Sequence, residues 1–265
     1  MDEDKNENIQ NSRRNSPTSD DIIRAFRTPQ STANLVDLFG AVRELNRRRS
    51  PSSPDIFDPN LVSRIISYQM YDPRNIEHSI PILVAEENVN LLGYLINTGE
   101  NNQVLSEVIR RGKLNVLSHL VEEAKADIYG VRGPNGNALD MAIHFGHLDI
   151  VDYLIEKGMN SAQYLNKALV KASIVGNVGI IRHLINRGAN ANYNNGEPLW
   201  ASILTSPNLE VVRCLVEEGG ANVQANAQAL IFANEGSQRP SFQGSLYEEI
   251  VEYLLNMGAN PDIIG

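Results

Sequence analysis

Cysteine is almost missing from this chain of 265 residues: Cys214 is the single example. One thiol cannot build an internal disulfide framework, and such usage fits a reducing compartment. Cys214 stands in an apolar stretch and reads as a small core residue. Aromatic residues make up 6% of the chain, and no apolar run approaches the roughly 18 residues a membrane span needs. There are five histidines, His78, His119, His144, His147 and His183. Only His144 and His147 are close, and a turn is expected between them. No cysteine or carboxylate stands beside them at ligand spacing, so no metal site is expected. Phosphate-binding, dinucleotide-binding and nucleophile-elbow motifs are missing too. The pairs Glu122-Glu123, Glu217-Glu218 and Glu248-Glu249 are adjacent on helices, so their members do not face each other as an acid and a base would. They read as a solvated outer face. The expectation is a non-enzymatic protein with no cofactor.

Charge is uneven. Residues 1–54 carry 9 basic and 8 acidic groups, whereas 55–265 carry 14 basic and 24 acidic, a balance of −10. Nucleic-acid affinity rests on neutralising phosphates, so the larger part is not expected to bind nucleic acid. A basic or neutral protein surface suits it better. The opening MDEDKNENIQ is neither a secretory signal nor a transit peptide. The expected location is intracellular and cytoplasmic, with the nucleus open as well.

What the chain does contain is a repeated pattern. Within Gly136–Asn160, Ala138–Phe145 and Leu148–Lys157 read as two short helices around a Gly146-His147 turn. Leu148, Ile150, Val151, Leu154 and Ile155 form an apolar stripe at helical spacing, and Gly158 follows as a stop. Such a hairpin cannot bury its own apolar face. The second helix recurs with anchor leucines Leu95, Leu120, Leu154, Leu184, Leu215 and Leu254, separated by 25, 34, 30, 31 and 39 residues. That period is the mark of an all-α solenoid of stacked helix-turn-helix units.

Leu139, Ala142, Gly146 and His147, the Gly-Ala-Asn triplets at 188–190, 220–222 and 258–260, and Pro198-Leu199 together resemble the ankyrin repeat. The resemblance covers roughly 79–265, with repeats near 79–101, 102–130, 131–163, 164–195, 196–224 and 225–265. The family's Thr-Pro-Leu-His element has lost its histidine, since Asp140, Val170, Trp200 and Ile231 stand there. The cross-repeat hydrogen bonds that the family makes with Thr and His are therefore not expected here. His147 occupies the family's Gly-His turn, where a structural hydrogen bond is implied.

Ahead of the repeats, residues 1–20 read as a disordered tail. Residues 21–54 hold an amphipathic helix through Leu35, Val36, Leu38, Phe39, Val42 and Leu45, then a Ser/Pro linker. Residues 55–78 read as a capping helix. Arg13-Arg14-Asn15-Ser16-Pro17 and Arg47-Arg48-Arg49-Ser50-Pro51 mark Ser16 and Ser50 as candidate phosphorylation positions. The helix from Asp55 is faintly similar to the start of an F-box. About nine extra residues at 237–245 are expected to project between the last two helices, with Phe242 a candidate anchor.

Function is therefore expected from a surface. The resemblance implies a concave face built from first helices and hairpin tips. The pairs before each inter-helix glycine are Arg110-Arg111, His144-Phe145, Ile174-Val175 and Leu204-Thr205. They read as a groove for a protein or peptide with an apolar stripe and an acidic end, or else as packing between first helices. Tyr129, Arg132, Tyr193 and Trp200 are further candidate contacts. Two alternatives stay open. In one, the N-terminal helices are the effector module while the repeats select a target. In the other, the sixth repeat's open end pairs with a second copy. The expected state is a monomer or weak homo-oligomer without membrane association.

Overall fold

The computed structural model describes residues 80–238 and 244–264. The expectations for the tail, the amphipathic and capping helices, Ser16, Ser50 and Phe242 lie outside those residues.

Two compact units divide between Tyr94 and Leu95. In the first, a helical stretch at 80–85 is followed by α1 (Val89–Leu95), whose last residue already counts with the second. Ile80, Leu83, Val84, Leu91 and Leu92 are buried there.

The second unit opens with a wide helical turn at Ile96–Glu100, followed by helices in couples. These are α2 (Asn101–Arg110) with α3 (Leu114–Glu122), and α4 (Ala138–Phe145) with α5 (Leu148–Glu156). Then come α6 (Ala162–Val175) with α7 (Val178–Asn186), α8 (Tyr193–Thr205) with α9 (Leu209–Arg213), and α10 (Ala227–Ser237) with α11 (Gly244–Asn256). α9 continues through a wide turn at Cys214–Glu218. Each first helix packs on its own second helix and on the next first helix, from α2 through α10. Among the described residues there is no strand, so the unit is an all-α solenoid.

Local chemistry explains where the helices start and stop. At α4, the Asn137 side chain accepts from the amides of Leu139 at 2.9 Å and Asp140 at 3.1 Å. The Asp140 carboxylate accepts in return from the Asn137 amide at 3.1 Å. Three donors at the helix start are satisfied at once. Gly146 ends the helix at φ 79, which a side chain would resist. In α8, Asn194, Asn195 and Gly196 are left-handed, so the regular helix begins only beside Pro198, where a missing N–H costs nothing.

The Gly-Ala-Asn triplets close the second helices. The amides of Ala189, Ala221 and Ala259 donate to Leu184 at 2.9 Å, Leu215 at 2.9 Å and Leu254 at 3.0 Å. Those are the carbonyls of the anchor leucines, which would otherwise lack partners. The asparagine side chains then accept from Asn192, Ala225 and Asp262 amides, turning the chain toward the next helix.

The anchor leucines are all buried, at 1% exposure or less. Ile150, Val151, Leu154 and Ile155 are buried with them, but Leu148 of the expected stripe is 41% exposed. It is the first residue of α5 and lies short of the packed turn. The expected insertion is also shorter than its sequence, because α11 already begins at Gly244. The Tyr247 ring is buried and fills the space beside Gly236, leaving no room for a side chain there.

Polar staples link the second helices. Lys157 meets Glu122 at 3.0 Å, and Arg182 grips Glu218 through two bonds of 2.7 and 2.8 Å. Asp152 receives both His183, at 3.1 Å, and Arg187. Tyr253 donates to Glu217 at 3.0 Å, with the Arg213 guanidinium over its ring. The glutamates expected to be merely solvated thus tie one second helix to the next at Glu122, Glu217 and Glu218.

Candidate functional site

The candidate residues separate into two groups along the first helices. One group stands at their C-terminal ends. His144 is exposed and Phe145 half-buried, with the two rings edge-on at 5.0 Å. Ile174 and Val175 at the end of α6 are half-buried, while Leu204 and Thr205 at the end of α8 are exposed. The Thr205 hydroxyl turns back to donate to the Ala201 carbonyl at 2.7 Å. Of these six, only His144, Leu204 and Thr205 are exposed, Leu204 at 46%.

Arg110 and Arg111 are not free cations. Arg110 grips Glu107 with Nε at 2.7 Å and Nη2 at 2.6 Å, and Arg111 bonds the same carboxylate. Burial pushes the Glu107 carboxyl up, but the two arginines outweigh it and hold the group below its usual range. Much of the expected basic end is spent inside α2.

The second group stands at the opposite ends of the helices, where loops enter. Here asparagines tie the loops of successive couples together. Asn101 donates to the Asp127 carbonyl at 2.9 Å and accepts from the Asp127 amide at 2.9 Å. Asn192 does the same between the Gly220 carbonyl, at 2.9 Å, and the Asn222 amide, at 2.7 Å. Asn102 accepts from Arg132, Asn166 accepts from Asn190, and Asn226 donates to the Gly196 carbonyl at 2.9 Å. These side chains supply the cross-repeat bonds for which the missing Thr and His left no obvious source.

Tyr129 and Arg132 lie on one of these loops, and the structure brings them together with Gln163, Tyr164 and Lys167 of α6 around a cleft of ≈ 380 Å³. The Tyr129 and Tyr164 rings are tilted, 6.5 Å between centroids. The Tyr129 hydroxyl donates to the Lys157 carbonyl at 3.3 Å and sits over Gly158. Arg132 donates from Nη1 to the carbonyls of Tyr129 and Val131, both at 2.7 Å. Beneath the cleft, Asp140 is pushed up by burial, opposed by the Asn137 amide and by Lys171 and Lys167.

Tyr193 and Trp200 do not join this cleft. Tyr193 is half-buried at the start of α8, and the Trp200 indole packs on Phe232 at 5.9 Å. Its Nε1 is enclosed without a partner.

The chain resembles known proteins. The profile of the ankyrin repeat matches residues 137–167, which run from the Asn137 cap to Lys167. An ankyrin repeat protein of Rickettsia bellii is 24% identical over 179 residues, covering 66% of this chain and 43% of that protein. One of Acanthamoeba polyphaga mimivirus is 27% identical over 111 residues, covering 42% of this chain and 23% of its own length. The chain carries an ankyrin repeat. It spans less than half the length of either relative.

Ankyrin repeats generally mediate protein–protein interaction. In this ankyrin-repeat chain, no three His, Cys, Asp or Glu side chains among the described residues gather to hold a metal ion. No described helix is long and apolar enough to cross a membrane. Burial, with Glu218 beside it, pushes the Cys214 thiol up to about 11, away from thiolate chemistry. Sequence reasoning missed Gln163, Tyr164 and Lys167. Their signal was there: Tyr164 and Lys167 stand three apart after the Ser161 cap and so share a helix face.

Proposed function

We propose that this ankyrin-repeat chain is a non-enzymatic binding module that takes a protein or peptide partner along its layer of first helices. The observation that carries the reading is the unbroken packing of α2, α4, α6, α8 and α10. A layer built from one helix per repeat can offer a partner the same kind of contact several times over. Exposed His144 and Leu204 at one edge, and the Tyr129–Lys167 cleft at the other, are the two places where it offers side chains. A single α4 of eight residues separates those edges by roughly 10 Å at 1.5 Å per residue. An extended segment is wide enough to touch both.

The second helices support the reading by contrast. Their polar side chains are engaged by one another at Glu122, Asp152, Arg182 and Glu217. The test is affinity purification on the full chain compared with His144→Ser/Leu204→Ser. Both positions are exposed, so the fold should survive, as judged by an unchanged thermal melt. Partners recovered by the wild type should be lost or reduced in the double variant. Partners retained at full strength by that variant, and lost instead from one carrying Arg182→Ala on the second-helix side, would sink the proposal.

A further inference from the structure

The cleft between the 129–136 loop and the start of α6 carries a more specific inference, one that rests on the protein-binding reading just given. Its cations are arranged in an unusual way for this acidic chain. Arg132 spends Nη1 on two backbone carbonyls, so the guanidinium is fixed in place. Its Nε and Nη2, the edge that grips a carboxylate with two parallel bonds, make no hydrogen bond or ion pair among the described residues. Lys167, across the cleft, makes no hydrogen bond or ion pair within 4 Å among the described residues and acts on Asp140 only at longer range. The other gripping arginines are satisfied: Arg110 by Glu107 and Arg182 by Glu218.

The amides at the start of α4 do not compete for an anion, because Asn137 already caps them. The nearest acids are accounted for. Asp140 is held by the Asn137 amide, and Asp127 accepts from the Tyr129 amide at 2.9 Å. The walls are aromatic, and one is anchored, since the Tyr129 hydroxyl reaches the Lys157 carbonyl. A cleft of ≈ 380 Å³ is at the small end of ligand pockets and holds a side chain or two rather than a cofactor.

We propose that this cleft receives an aspartate or glutamate side chain from a partner protein, with the residue beside it packed on the tyrosine rings. The carboxylate lies on the Nε/Nη2 edge of Arg132, and Lys167 balances the remaining charge. Residues 55–265 carry 14 basic against 24 acidic groups, so a strongly acidic partner is repelled elsewhere. The partner segment therefore carries one or two acidic residues within neutral or basic sequence.

The test pans a random peptide library, displayed on phage, against the full chain. Recovered sequences, made as fluorescein-labelled peptides, are titrated by fluorescence anisotropy against wild type, Arg132→Ala, Arg132→Lys, Lys167→Ala and Arg182→Ala. The expected result is a shared Asp or Glu and a loss of about tenfold or more with Arg132→Ala, matching the loss from an acid-to-amide change in the peptide. The two changes together should cost little more than either alone. Arg132→Lys should not restore binding, because lysine lacks the two-donor edge. Lys167→Ala should weaken binding without touching the loop, and Arg182→Ala should leave it unchanged. Peptides without a shared acid, or peptides that bind Arg132→Ala and Lys167→Ala as tightly as wild type, overturn the inference but leave the protein-binding reading intact. Recovery of no binding peptide counts against both. Binding of a labelled single-stranded oligonucleotide that depends on Arg132 overturns the acidic-peptide inference alone.

Discussion

The imidazole of His147 lies across Gly112. Its Cε1 is 2.6 Å from where a Cβ would stand, and its Nε2 meets the Arg110 carbonyl at 3.1 Å. Each of the two repeats needs the other's residue. Gly112 holds φ +66 to close α2, and the bare backbone leaves room for the ring of the next repeat. Gly112→Ala should cost roughly 1–3 kcal/mol from the left-handed backbone and the clash. In a His147→Ala background the clash disappears, so the same change should cost less. Urea unfolding of the four proteins of that cycle measures the coupling.

The asparagine ladder makes a second prediction. Asn192→Ala removes two bonds between loops, to Gly220 and Asn222, and should cost about 1–2 kcal/mol. Amide hydrogen exchange at Asn222 should accelerate more than exchange in α4. Asn192→Asp keeps the acceptor but turns a negative oxygen on the Gly220 carbonyl, so it should not rescue.

Leu148 and Leu154 test how the apolar stripe is used. Leu154 is fully buried, and Leu154→Ala should lose about 2–5 kcal/mol. Leu148 is 41% exposed, and Leu148→Ala should lose under about 1 kcal/mol. Equal midpoint shifts in thermal melts would contradict the burial pattern.

Two carboxyls give opposite dependence on pH. Glu107 is held low in the folded chain, so its contribution to stability is present at neutral pH and lost as pH falls through its folded value. Asp140 is pushed up by burial, so the folded chain takes its proton before the unfolded chain does. Its cost to folding therefore fades as pH falls. Glu107→Gln should flatten the acid side of the stability curve, and Asp140→Asn should steepen it. Urea midpoints between about pH 6 and pH 3, spanning the carboxylate range, distinguish the two.

The repeat was legible because helix packing writes directly into sequence. The anchor leucines recur with the stack, and Gly146-His147 marked the turn that the structure contains. Leu148 misled because periodicity assigns a face but not how far along the helix its partner reaches. Tyr247 was missed because α11 starts three residues before it, in sequence that reads as a polar insertion. The cleft was half legible. Tyr129 and Arg132 could be named as contact residues, but their meeting with Tyr164 and Lys167 depends on how one loop folds over the next helix. The engagement of Arg110 and Arg111 by Glu107 was open to an i, i+3 and i, i+4 reading, yet the expected groove treated both cations as free.

The central claim is that a partner sits on the first-helix layer. Hydrogen-exchange mass spectrometry of the full chain, with and without a peptide recovered by panning, tests it most directly. The account predicts slowed exchange in the 129–136 loop, α4 and the first half of α6, with α3, α5 and α7 unchanged. Protection confined to α3, α5 and α7, or no protection at saturating peptide, would contradict it.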